Sequence, residues 1–141
     1  YSVPKAASTR ALRAFFEGER YSRSGWTTFA TSDVGGSGIT VSDARLRVLA
    51  LRSADQGRLL AWLEHRDATW ARIARDGISP TPFTGTFTGP SLVSGVYRIE
   101  WWDTRAGTVL STSQVNHPGG AMTVSLAAPL SSDVAVKIEK L

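Results

Sequence analysis

Arg98, Glu100 and Trp102 alternate along one short stretch in a way that suits sugar recognition. Residues two apart in an extended strand share a face, so a guanidinium, a carboxylate and an indole point the same way. Sugars present flat C–H faces that stack on aromatic rings, and hydroxyls that hydrogen-bond to charged groups. The three residues are therefore a glycan platform in outline. Trp26 and Trp70 are further aromatic candidates. Trp62 and Trp101 lie among apolar strand residues and are expected in the core.

Other chemistries find less support. Glycoside hydrolysis needs two carboxyl groups flanking one bond, and Glu64, Glu100 and Asp103 are the acids nearest aromatics. Their spacing does not pair them, so the chain is not expected to be an enzyme by itself. There is no Gly-x-Ser-x-Gly elbow for a serine nucleophile. The absence of cysteine removes disulfides, thiolate metal sites and cysteine nucleophiles together. His65, at a strand end, and His117, in a Pro-Gly turn, are expected at the surface. Asp33-Val34-Gly35-Gly36-Ser37-Gly38 with Asp43 offers oxygen ligands but lacks the periodicity of a calcium loop, so neither a metal nor another cofactor is expected.

Composition narrows the partners. The chain has 141 residues, the size of one domain, and 42% are hydrophobic, enough for a core. The net charge is +4, but the arginines are dispersed along the chain, which argues against nucleic acid. No apolar run approaches the roughly 18 residues that span a bilayer, so no membrane partner is expected.

The elements that must hold these residues are mostly strands. Ser8 to Gly18 reads as a short helix: Ser8 or Thr9 caps it, Ala11, Leu12, Phe15 and Phe16 form its apolar face, and Gly18 ends it. Beyond it, β-branched and aromatic segments recur between turn signals. Strands are predicted over Trp26–Thr31, Arg45–Arg52, Arg58–Arg66, Trp70–Arg75, Phe83–Thr88, Gly95–Asp103, Thr108–Val115, Ala121–Ala127 and Val134–Glu139. Alternation sends Tyr97, Ile99 and Trp101 inward, opposite Arg98, Glu100 and Trp102. Met122, Val124 and Leu126, and likewise Val134, Val136 and Ile138, also point in. Arg58–Arg66, the more apolar run, is expected at the centre of a sheet. Asp103 and Gly107 specify a hairpin between two of the strands. The pattern is that of half-buried antiparallel sheets. Residues 1–20 are assigned to an N-terminal segment and residues 21–141 to the β-domain.

The stretch Tyr97-Arg98-Ile99-Glu100-Trp101-Trp102-Asp103-Thr104-Arg105-Ala106-Gly107 resembles a C-terminal β-sandwich that follows the catalytic barrel in many bacterial glycoside hydrolases. Trp62, Thr69-Trp70, the last strand Ser132 to Ile138, and Ala11-Leu12-Arg13-Ala14-Phe15-Phe16 ahead of Trp26 match it in order, so the likeness spans almost the whole chain. Ala106 departs from the threonine common in that hairpin, and Glu64-His65-Arg66 from a stretch that often contains asparagine. The resemblance implies an all-β, antiparallel two-sheet sandwich of immunoglobulin or fibronectin type with one short N-terminal α-helix. It also implies a non-catalytic accessory domain of a secreted polysaccharide-degrading enzyme. Its partners would be a glycan of β-glucan type and a catalytic glycoside hydrolase domain in the parent chain. The alternative is a domain that braces the barrel and binds no sugar.

Overall fold

The computed structural model describes residues 25–68 and 71–141. The predicted helix over 8–18 and the boundary at residue 20 lie outside the described residues, as does Trp70. Among the described residues, nine strands form two antiparallel sheets: β1 (Thr27–Ala30), β2 (Thr40–Val41), β3 (Leu46–Arg52), β4 (Arg58–His65), β5 (Thr86–Leu92), β6 (Gly95–Asp103), β7 (Thr108–His117), β8 (Gly120–Ser125) and β9 (Asp133–Lys140). The larger sheet has the order β1-β3-β4-β9-β6-β7, and the smaller one β2-β5-β8. The architecture is a two-sheet sandwich.

The core lies between the layers and follows the alternation of each strand. Val48, Ala50, Leu59, Leu63, Tyr97, Trp101, Val136 and Ile138 of the large sheet meet Phe87, Leu92, Met122 and Val124 of the small one. Tyr97 is fully buried at 0% exposure and Trp101 nearly so at 5%. Burial of this apolar surface is the main favourable term holding the layers together. The Tyr97 hydroxyl donates to the Val93 carbonyl at 2.6 Å, which gives the buried phenol its partner.

β9 follows the other strands in the chain yet sits inside the sheet. It pairs with β4 through Trp62↔Ala135 and with β6 through Trp102↔Ala135, joining two otherwise separate ribbons. β4 is central as its composition suggests, and Leu59, Leu60 and Ala61 are buried in succession because both its faces are covered.

Two strand predictions are corrected, and one short strand is added. Residues after Trp70 form one turn of π-helix, Ala71–Arg75, rather than a strand. That segment is mostly alanine and arginine, which favour helix, with Ile73 its one β-branched residue. β5 starts at Thr86 and continues to Leu92, while Phe83 makes only an isolated bridge to Leu130. Gly89 and Pro90 look like a strand end, but they fall where the register with β8 shifts. A proline costs no ladder bond at such a bulge. The two-residue β2 was not foreseen.

The β6–β7 hairpin forms as expected. The Asp103 carboxylate accepts from the Arg105 and Ala106 amides at 2.8 and 2.9 Å. Gly107 takes φ 71°, a left-handed value that glycine adopts without strain.

Candidate carbohydrate-binding face

The outer face of the large sheet carries the residues singled out for sugar recognition. β4, β9 and β6 are neighbours, and their register aligns side chains in rows that cross the strands. One row is Trp62, Ala135 and Trp102. The next is Leu60, Lys137 and Glu100, and the third Arg58, Glu139 and Arg98. Trp26, just ahead of β1, packs on the same small cluster: Trp26, Trp62 and Trp102 surround buried Leu60 and Ala135, forming a second apolar cluster distinct from the core. Two strand spacings separate Trp62 from Trp102, which sets their backbones about 10 Å apart, near the span of two successive sugar rings.

Charge borders the aromatic row. The Lys137 ammonium lies 4.7 Å from the centre of the Trp102 ring, and its side chain is only 8% exposed. That contact is a cation–π attraction, strengthened where water is excluded. In the third row Glu139 receives both Arg98, at 3.0 Å, and Arg58, at 3.1 Å. Arg98 also lies 3.7 Å from Glu100. Arg98 and Glu100 are thus members of an ion ladder, not isolated sugar-binding groups. A ladder of alternating carboxylate and guanidinium still suits vicinal hydroxyls, because one hydroxyl can donate to the acid while its neighbour accepts from the base.

Of the predicted site residues, Trp102, Arg98, Glu100 and Trp26 share this face. Trp62 is a correction: it belongs here, half-buried, and not to the inter-sheet core. Leu59, Ala61 and Leu63 occupy the inner face, so the alternation of β4 turns Trp62 to the outer one. Lys137, between inward Val136 and Ile138, is on the outer face and is covered against an indole.

The candidate acids do not converge. Glu64 lies 3.6 Å from Arg47, and Asp103 caps its hairpin. Glu64 and Glu100 share the outer face but lie two strands and four residues apart. That is roughly 16 Å, beyond the separation at which two carboxyls flank one glycosidic bond.

The histidines are a second correction, as both are buried. His65 is 0% exposed, with Nε2 2.8 Å from the Thr81 carbonyl and Nδ1 accepting from the Asp67 amide at 3.0 Å. His117 is 8% exposed, packs edge-on against Tyr97 and places Nε2 2.9 Å from the Gly120 carbonyl. Each imidazole is thereby hydrogen-bonded to turn backbone, which gives its buried ring nitrogen a partner.

The loop acids are engaged by arginines. Asp33 pairs with Arg47 at 3.0 Å and Asp43 with Arg45 at 2.7 Å. Hydrogen bonds from the Arg45 side chain and amide hold the Asp43 carboxyl down at about 2, against an ordinary value of 3.8. Burial alone would raise the Asp33 carboxyl, but hydrogen bonds from Thr31 and Arg47 more than offset it.

No protein-family model matches the chain, and no curated protein matches it. Among solved structures, a glucosidase from Croceicoccus marinus is similar at 14% identity and a TM-score of 0.37. The likeness covers 67% of this chain and 26% of that one, so about a quarter of the glucosidase's length is matched.

Proposed function

We propose that this chain is a non-catalytic accessory domain of a secreted polysaccharide-degrading enzyme. It takes an extended glycan of β-glucan type on the outer face of its large sheet. The observation that carries this proposal is the cluster of Trp26, Trp62 and Trp102 on one face, beside the Arg58–Glu139–Arg98 ladder. Trp62 and Trp102, in one row across the strands, suit successive hydrophobic faces of a linear sugar chain, and the ladder supplies hydroxyl partners beside them. An immunoglobulin-like topology and a catalytic barrel in the parent chain belong to the same proposal.

The test is affinity electrophoresis of the whole chain in gels containing soluble β-glucan, with Trp62→Ala and Trp102→Ala beside it. Retardation of the parent chain is expected. Each substitution should weaken it by about tenfold to a hundredfold, taking stacking on aromatics at about 1–3 kcal/mol as the guide. A parent chain that migrates unchanged in every glucan would overturn the proposal.

A second function, bracing a catalytic barrel without binding sugar, is favoured by one observation. The ladder's charges already neutralise one another, as suits a face covered by protein. That alternative expects no retardation, and a catalytic domain that loses thermal stability when this domain is removed.

A further inference from the structure

β7 is the unusual edge of this molecule. It ends the large sheet, hydrogen-bonds only with β6 among the described strands, and leaves its other side open along Thr108–His117. Every residue from Thr108 to Asn116 is exposed. Proteins guard long edges with lysine, proline, inward charges or very short strands. β7 has neither charge nor proline among Thr108-Val109-Leu110-Ser111-Thr112-Ser113-Gln114-Val115-Asn116, and one bulge, opposite Trp101 and Trp102, as its sole guard. The opposite edge, β1, is four residues long. Exposed apolar side chains lie along this edge: Val109, Leu110 and Val115 of β7 are 43, 59 and 40% exposed.

We infer that β7 pairs with β7 of a second copy of this chain, antiparallel about a two-fold axis at Ser113, giving one continuous sheet of twelve strands. Each copy contributes the six strands of its large sheet. An antiparallel pair about such an axis keeps inner faces with inner faces. Ser113 then meets Ser113 of the second copy, Thr112 meets Gln114, and Ser111 meets Val115. No like charges oppose one another in that ladder. The flanking rows are complementary as well. Thr112 is the register partner of Glu100 and Gln114 that of Arg98, so the dimer aligns Glu100 of each copy with Arg98 of the other. Three strand spacings, roughly 14 Å, separate those charges. Salt screens them at that distance, so they bias register and add little affinity. Affinity comes from the backbone ladder and the exposed Val109, Leu110 and Val115 of each edge, an isologous contact that closes on itself.

Sedimentation equilibrium over a concentration series tests this, on the whole chain and on Ser113→Lys and Ser113→Glu. The parent chain should dimerise. Each variant alone should raise the dimer Kd by roughly tenfold to a hundredfold, since it sets like charges face to face at the axis. Mixing the lysine and glutamate variants should restore association. Hydrogen exchange on the parent chain needs no variant, and β7 amides should gain protection as concentration rises. A parent chain that stays monomeric at every concentration overturns the inference. So does dimerisation that the lysine leaves unchanged, or β7 exchange that is independent of concentration.

Discussion

Trp101 and Trp102 are adjacent residues with opposite fates, so truncating each in turn measures the two faces of one strand. Trp101 is 5% exposed and belongs to the inter-sheet core. Removing a buried indole costs about 3–5 kcal/mol. Trp101 also floors the open groove between β7 and the β8–β9 connection, alongside Leu126. Part of the vacated space therefore reaches solvent, which places the cost near the low end, about 3 kcal/mol. Trp102 is half-buried, and Trp102→Ala gives up contact with Ala135 and Leu60 and the attraction of Lys137. Those losses amount to about 1–2 kcal/mol. Urea unfolding followed by circular dichroism separates the two. With an m-value of about 1.5 kcal/mol/M, the midpoint falls by about 2 M for Trp101→Ala and by about 1 M for Trp102→Ala. Equal shifts, or a larger one for Trp102, would refute the assignment of faces and with it the outer aromatic cluster.

Tyr97→Phe keeps the ring volume but strands the Val93 carbonyl, which the phenol reaches at 2.6 Å; a loss of about 1–2 kcal/mol in urea unfolding is expected. Glu139→Gln leaves Arg58 and Arg98 without their shared carboxylate. It should cost about 1 kcal/mol at low ionic strength and much less in 1 M salt, by melts at the two ionic strengths. The Asp43 carboxyl titrates at about 2 when folded against 3.8 ordinarily, so its stabilisation is fully present above 3.8 and vanishes as pH falls through about 2. Asp43→Asn should therefore be less stable than the parent at neutral pH, and the two unfolding curves should converge across that acid window.

Alternation was legible wherever one face of a strand is apolar and the other polar. β6, β8 and β9 have that contrast, and their inward residues form the core. The contrast fails on β4, where both faces are covered, so Trp62 looked like core until the register with β9 fixed its side. The histidines were misjudged for a related reason. Turns are usually wet, but the rings of His65 and His117 pack edge-on against Phe83 and Tyr97, and those contacts are tertiary. Residues 98, 100 and 102 announced a shared face by parity alone. That Arg98 is engaged by Glu139 could not be read locally, because the two are 41 residues apart in sequence.

The interior position of β9 bears on the timing of folding. A chain made from its N-terminus presents β1, β3 and β4 as one ribbon and β6 with β7 as another, each with an open edge where β9 will insert. Until the residues from Asp133 onward emerge, Leu59, Leu63, Tyr97 and Trp101 have no common sheet to fill. Folding must therefore wait for the last strand and then close both seams together, in a single late event dominated by distant contacts. In the interval the waiting edges of β4 and β6 can capture each other or a neighbouring nascent chain. A stop just before Asp133 would leave two ribbons and no domain, whereas losing β1 would merely narrow a finished sheet.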